Sequence, residues 1–197
     1  IQTVTTKTTA LIERPEELIY RSYYAPVRLE ELLARAETRS KIRRIPPPQL
    51  FFSLKELDDE DIARLLPHVT EEQWTGILDL DVWKKDRLAL DLFLSWERHL
   101  AAAEDPVARK IIRATDPELW ELAFARDLKV LERLEEDEWE VAEERGESFE
   151  TPDANFLILL PQNSEKARVY RHLILKLYEL DPSTAALLLA ESRVRTS

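Results

Sequence analysis

Apolar positions along the chain recur at helical spacing almost throughout. Leu29, Leu32, Leu33 and Ala36 share one stripe, with Glu30, Glu31 and Arg35 elsewhere, which predicts a helix over residues 27–44. Ile62, Leu65 and Leu66 form the next apolar face, and Trp74, Ile77 and Leu78 the one after it. Leu88, Leu92 and Trp96, with Phe93 and Leu100 beside them, predict a longer helix over residues 82–103. Trp120, Phe124, Leu128, Leu131 and Leu134 continue a single stripe after Pro117. Tyr170, Leu173, Ile174 and Leu177 mark a helix from about Ser164, and residues 186–189 hold the apolar part of a last one.

The polar positions between these stripes read as starts and stops. Pro46, Pro47 and Pro48 break the first helix and favour an extended linker or sharp corner. Asp58 is placed to cap a helix whose first turn is Asp59, Glu60 and Asp61, and Pro67 ends it. Thr70 followed by Gln73 is a capping-box pattern. In Asp105-Pro106, Asp116-Pro117 and Asp181-Pro182 the aspartate is expected to cap while proline takes the first helical position, where its missing N–H is harmless. One stretch departs from the helical period: residues 147–151 and 155–160 flank Pro152-Asp153-Ala154 as two short strands flank a turn, with Phe149, Phe156 and Ile158 expected to cover helices. The predicted fold is mostly α, an irregular α-superhelix or multi-helix bundle of stacked helical hairpins, with one small β-hairpin near residues 147–160. Residues 1–48 read as an arm and helix ending in a proline linker, with a threonine-rich start over residues 1–10. Residues 49–197 read as a helical domain.

Composition narrows the chemistry. Gly76 and Gly146 are the only glycines, so the glycine-rich loops that cradle phosphates or dinucleotides are excluded. Cysteine is absent, which removes disulfides, thiol catalysis and zinc–cysteine sites, and no methionine occurs either. The longest apolar runs, residues 156–160 and 185–190, are core-sized, so no membrane insertion is expected. No secretory leader pattern is visible, and cytoplasm is the expected compartment. Net charge is −11 and uneven: residues 1–57 carry 10 Lys/Arg and 7 Asp/Glu, the remainder 18 and 32. An acidic body disfavours nucleic acid as a partner.

Candidate chemistry is sparse. His68, His99 and His172 are isolated, and no HExxH spacing or GxSxG elbow occurs. Asp58, Asp59 and Asp61 are candidate oxygen ligands for a hard cation, although acids in a first helical turn equally favour the helix dipole. Asp79 and Asp81 lack the glycine and twelfth-position glutamate of an EF-hand, and Asp81 is expected to cap the helix at Val82. Asp86 and Arg87 are candidates for an ion pair. Tryptophans 74, 83, 96 and 120 fall mostly on apolar stripes, and core packing is the expectation. Trp139 sits among Glu135, Glu136, Asp137, Glu138 and Glu140 and is a candidate interface anchor in an acidic tract over residues 132–150. Arg39, Arg43 and Arg44 make a basic counterpart. No catalytic residue and no cofactor is expected.

Two resemblances follow from the motifs. Leu78-Asp79-Leu80-Asp81-Val82-Trp83 with Asp86-Arg87-Leu88, then Asp116-Pro117-Glu118, a hairpin over residues 147–160 and Leu177-Tyr178-Glu179-Leu180-Asp181-Pro182, resembles an uncharacterised bacterial domain-of-unknown-function family over residues 45–192. The resemblance implies no activity. Residues 58–66 plus 70–78 are similar to one helical repeat of the N-terminal domain of MgtE-type magnesium transporters. The leading expectation is a non-catalytic helical scaffold or protein-interaction module, its partner another protein or a second copy in a homodimer. The alternatives are a regulatory domain sensing a divalent cation or small ligand, and an enzyme of unrecognised type.

Overall fold

A computed structural model of the chain describes residues 38–84, 87–132 and 147–196. The threonine-rich arm, residues 27–37 of the first expected helix, Asp86 and residues 133–146 with Trp139 lie outside the described residues.

The order of elements is α1 (Thr38–Ile42), α2 (Pro47–Leu54), α3 (Asp59–Leu65), a 3₁₀ turn (Leu66–His68), α4 (Glu71–Val82), β1 (Trp83–Lys84), β2 (Arg87–Leu88), α5 (Leu90–Ala102), α6 (Asp105–Ala114), α7 (Pro117–Asp127), β3 (Lys129–Glu132), β4 (Ser148–Glu150), β5 (Phe156–Leu159), α8 (Ser164–Leu180) and α9 (Pro182–Thr196). The mostly helical class is as expected. One apolar cluster runs from Ile42 and Ile45 through Leu50, Trp74, Phe93 and Trp120 to Tyr170 and Leu189. It joins both sides of the division drawn at residue 48.

The caps largely follow the sequence. Asp58 accepts from the Asp61 N–H, and Asp116 from that of Glu118. The Thr70 and Gln73 side chains close a reciprocal box. Gln73 also donates from Nε2 to the carbonyls of Ile42 and Ile45, both at 2.7 Å. Those bonds pin the corner at which Pro46 caps α2 and the next two prolines begin it, so the triple proline turns the chain directly into a helix. Gly76 lets α4 approach this corner: a Cβ built there would lie 2.6 Å from Pro47 Cβ.

Four expectations are corrected. The helix read over residues 82–103 is interrupted. α4 ends at Val82, Trp83 and Lys84 pair antiparallel with Leu88 and Arg87, and α5 begins only at Leu90. Trp83, 45% exposed, therefore lies outside the core. The stripe through Leu128 and Leu131 is not helical either. α7 stops at Asp127, and Lys129–Glu132 pairs antiparallel with Phe156–Leu159 to make a three-stranded sheet in the order β3-β5-β4. Period-two burial explains this: Phe156 and Ile158 enter the helical core, while Leu157 meets Leu131 on the other face. In the first Asp-Pro helix start, α6, the cap is Glu104, and Asp105 is already the first helical residue. Asp81 does not cap a helix; it is buried within the last turn of α4.

The expected hairpin itself forms. Its turn is held by Thr151 Oγ1, which donates to Asp153 at 2.7 Å, and by Asp153, which accepts from the Asn155 N–H. Ala154 takes a left-handed φ of 56° there. Tyr178 on α8 donates to Asp153 at 3.1 Å, tying the turn to the helices; burial, reinforced by the adjoining carboxylate, pushes its phenol up to about 12.

Candidate functional site

Helix α5 is the hub of the fold and packs against α3, α4, α6, α7 and α8. Its buried face carries Phe93, Trp96, Glu97 and Leu100. The outward positions Asp91, Ser95, Arg98 and Ala102 follow at helical spacing, and three surface depressions border them. One of about 420 Å³ lies between α5 and the start of α8, over Leu94 and Val169. A second, of about 460 Å³, continues along the same seam past Ala101, Ala102, Arg168 and His172. A third, of about 130 Å³, opens toward α3 beside Lys55, Asp59 and His99. Arg98 lines all three: the first two share Glu165 and Val169 as well and make one trough along the α5–α8 seam, and the third borders it at Ser95 and Arg98.

Each end of the trough has its own electrostatics. At the α7–α8 end, Arg126 grips Asp127 through two nitrogens at 3.0 and 2.6 Å and reaches Asp91 at 2.9 Å. Lys166 bridges the same two carboxylates at 2.9 and 3.2 Å, and buried Tyr170 donates to Asp127 at 2.7 Å. Burial alone would raise the Asp127 carboxyl, but the bonds from Arg126, Tyr170 and Lys166 outweigh it and hold the group below the usual range. Asp91 is lowered chiefly by its bond to Lys166. Tyr170 is pushed far up by burial and by the adjacent carboxylate. This cluster is a charge-neutralised brace between three helices.

Arg98, at the centre, is held loosely. Its Nε lies 3.5 Å from the Ser95 carbonyl and its Nη1 3.9 Å from Glu165, whose side chain is 73% exposed. Both contacts sit at the outer limit of what counts as bonding. The side chain of Arg168, exposed on α8, has no hydrogen bond or ion pair to any described residue, while its carbonyl oxygen lies 2.8 Å from His172 Nδ1. At the α3 end, Lys55 donates to Asp81 at 2.6 Å, and Trp96 Nε1 donates to the same oxygen at 2.7 Å. The ammonium also lies 5.4 and 5.2 Å from the Phe51 and Trp96 ring centres. His99, 8% exposed, is lowered by burial against the opposing pull of Asp59, 3.7 Å away.

The candidates singled out in the sequence are scattered. Asp58 caps α3, Asp61 pairs with Arg64 at 2.9 Å and Asp59 faces His99, so the three acids point to separate partners. Among the described residues no three His, Asp or Glu side chains converge as metal ligands would. Arg43 and Arg44 are exposed just after α1, where the Arg44 N–H donates to the Lys41 carbonyl at 3.1 Å, and Arg39 lies within α1. Neither Arg43 nor Arg44 borders the trough. Sequence reasoning missed Arg98, Arg168 and Ser95, because an exposed residue on a helix facing another helix carries no local signature. Glu97 offered a faint one: a glutamate on the stripe of Phe93 and Leu100.

A family model described as a family of unknown function matches residues 9–196. The chain belongs to the DUF6178 family. The motif-based resemblance pointed to an uncharacterised family of this kind, over a shorter span. No curated protein and no solved structure matches. Among the described residues of this DUF6178 chain, no helix is long and apolar enough to cross a membrane. The motif residues are framework: Leu78, Asp81 and Val82 point inward, Tyr178 anchors the hairpin turn, and Asp181 caps α9 through the Thr184 N–H at 3.0 Å.

Proposed function

We propose that this chain is a non-catalytic interaction module that docks another protein across the trough over α5. The observation that carries the reading is the convergence of three depressions on one loosely tethered arginine, with an apolar floor and a charged rim. Such a composition suits protein recognition, where an apolar centre excludes water and rim charges set register. The braced ionic cluster supports it by fixing the two walls. A catalytic reading has less support, since the polar groups lining the trough are spread along it and Ser95 is engaged with the Leu92 carbonyl at 2.7 Å.

The absence of cysteine supplies the test. A single Ala102→Cys or Glu191→Cys substitution gives a unique attachment point for a photo-crosslinker, the first in the trough and the second exposed on α9. Expressed in the native host, A102C should yield a discrete adduct with one identifiable protein, or a dimer of the chain itself, and E191C should not. Equal adducts from both positions, or none from A102C, would reject the trough as the docking face.

A further inference from the structure

We infer that the trough takes an acidic peptide segment of the partner, with its carboxylates on Arg98 and Arg168 and one apolar side chain of the segment lying over Ala101, Ala102 and Val169. This rests on the interaction-module reading and names the chemistry of the partner. From Asp91 to Ala102 the trough follows eleven helical steps, about 16 Å at 1.5 Å per residue. About five extended residues span that length. An open trough of this reach suits a chain segment better than a compact ion. Cation and anion are matched at the Asp91–Lys166 end, where bonds of 2.9 to 3.2 Å already neutralise the charges. They are unmatched toward the other end. There the Arg168 side chain meets no carboxylate among the described residues, and Arg98 meets that of Glu165 at 3.9 Å. An incoming carboxylate therefore displaces little and completes two guanidinium forks.

The acidic body does not forbid this. Charges beyond about 8 Å are largely screened at physiological salt, so the local surplus decides. Glu165 is the built-in competitor, because its carboxylate already lies 3.9 Å from Arg98 in the free module. Its removal should strengthen binding, an effect that a misfolded variant cannot imitate.

The probe is a labelled peptide with the sequence of residues 133–150, which carries nine acids, two arginines and Trp139. Its control replaces every Glu and Asp by Gln and Asn. Fluorescence anisotropy with the full chain should show saturable binding of the acidic peptide below about 1 mM. The control should bind at least tenfold more weakly. Arg98→Gln and Arg168→Gln should each weaken binding roughly tenfold, and Glu165→Gln should strengthen it roughly two- to fivefold. Equal binding of both peptides, no binding of the acidic one, indifference to R98Q and R168Q, or displacement by a few millimolar inorganic phosphate would overturn the inference. If the peptide fails while A102C still captures a protein, the docking face stands and only its acidic specificity falls.

Discussion

Glu97 is fully enclosed on the inner face of α5, and neither of its carboxylate oxygens has a hydrogen-bond partner among the described residues. It shares that face with Phe93, one turn earlier, whose ring meets Trp120 edge-on at 5.1 Å. The indole N–H of Trp120 is likewise buried without a partner. Burial alone pushes the Glu97 carboxyl well above its ordinary value, so the folded protein holds it as the neutral acid. The unfolded chain titrates normally, and the consequence for stability has a definite sign. Below the ordinary glutamate value both states are protonated and Glu97 adds no pH dependence. Above it the unfolded chain releases a proton that the folded chain keeps, so stability falls as pH rises until the folded group itself ionises. The slope in that window approaches about 1.4 kcal/mol per pH unit. From pH 5 to 7 the loss is at most roughly 3 kcal/mol, a large share of the roughly 5–15 kcal/mol that holds a domain folded.

Two substitutions separate titration from polarity. Glu97→Gln removes the proton equilibrium but leaves a buried amide without partners. Glu97→Met removes both and roughly conserves volume. Urea unfolding followed by tryptophan fluorescence, at pH 5, 6, 7 and 8, should give wild-type and E97Q curves that nearly coincide at pH 5 and separate progressively, with E97Q the more stable at pH 7. E97M should exceed both there, by about 1–3 kcal/mol over wild type, the penalty of a buried polar group left without partners. For a chain of this length each 1 kcal/mol corresponds to about 2–4 °C in Tm. Parallel pH profiles for wild type and E97Q, with E97Q no more stable at pH 8, would refute the neutral-acid assignment.

Other expectations follow from single contacts. Gln73→Leu leaves the Ile45 carbonyl and the Thr70 N–H without the Gln73 partner, and the Ile42 carbonyl with the Ile45 N–H alone, and should cost about 2–4 kcal/mol in urea unfolding. Thr70→Ala, which removes one cap bond, should cost about 1 kcal/mol. Gly76→Ala gains about 1 kcal/mol of helix propensity but drives a methyl into the rigid ring of Pro47, and net destabilisation is expected in the same assay. Asp127→Asn should destabilise above the ordinary carboxylate range and converge on wild type in acid, because a lowered folded-state value means stability that disappears as pH falls.

The helices were legible where cap and stripe agreed. Asp58, Thr70 with Gln73, and Asp116 supply side-chain acceptors at fixed offsets, and Tyr170, Leu173, Ile174 and Leu177 repeat at 3.6, so both signals are local. Reading failed where a long-range partner decides. Leu128 and Leu131 continue the α7 stripe, yet a four-residue run can exchange helical bonds for ladder bonds to β5, and only the fold brings β5 there. The break after Val82 is of the same kind, because Ala89 donates its N–H back to the Val82 carbonyl at 2.8 Å and closes a loop. The trough was illegible for a stronger reason. Its walls, α5 and α8, are more than sixty residues apart, and Arg98 gains meaning only from Arg168 and Glu165 across the seam.

Asp81 links the family motif to that surface. Its side chain is 3% exposed, and a single oxygen accepts both the indole N–H of Trp96 and the ammonium of Lys55. Trp96 directly follows Ser95 and lies two positions before Arg98, so the bond sets the rotation of the helix that forms the trough floor. The two donors are unequal. Lys55 is about one-third exposed and can return to water, so Lys55→Met should cost no more than about 1 kcal/mol. Trp96 Nε1 is enclosed and cannot, so Asp81→Leu should cost about 2–3 kcal/mol, and Asp81→Asn, which keeps an acceptor oxygen, should recover most of it. If the motif serves to position α5, D81L should also weaken the acidic peptide while D81N leaves it nearly unchanged, although Asp81 itself does not line the trough. Unfolding curves and anisotropy on the same three variants decide the matter. Destabilisation of D81L without any change in peptide affinity, measured where the variant is fully folded, would separate the motif from the trough.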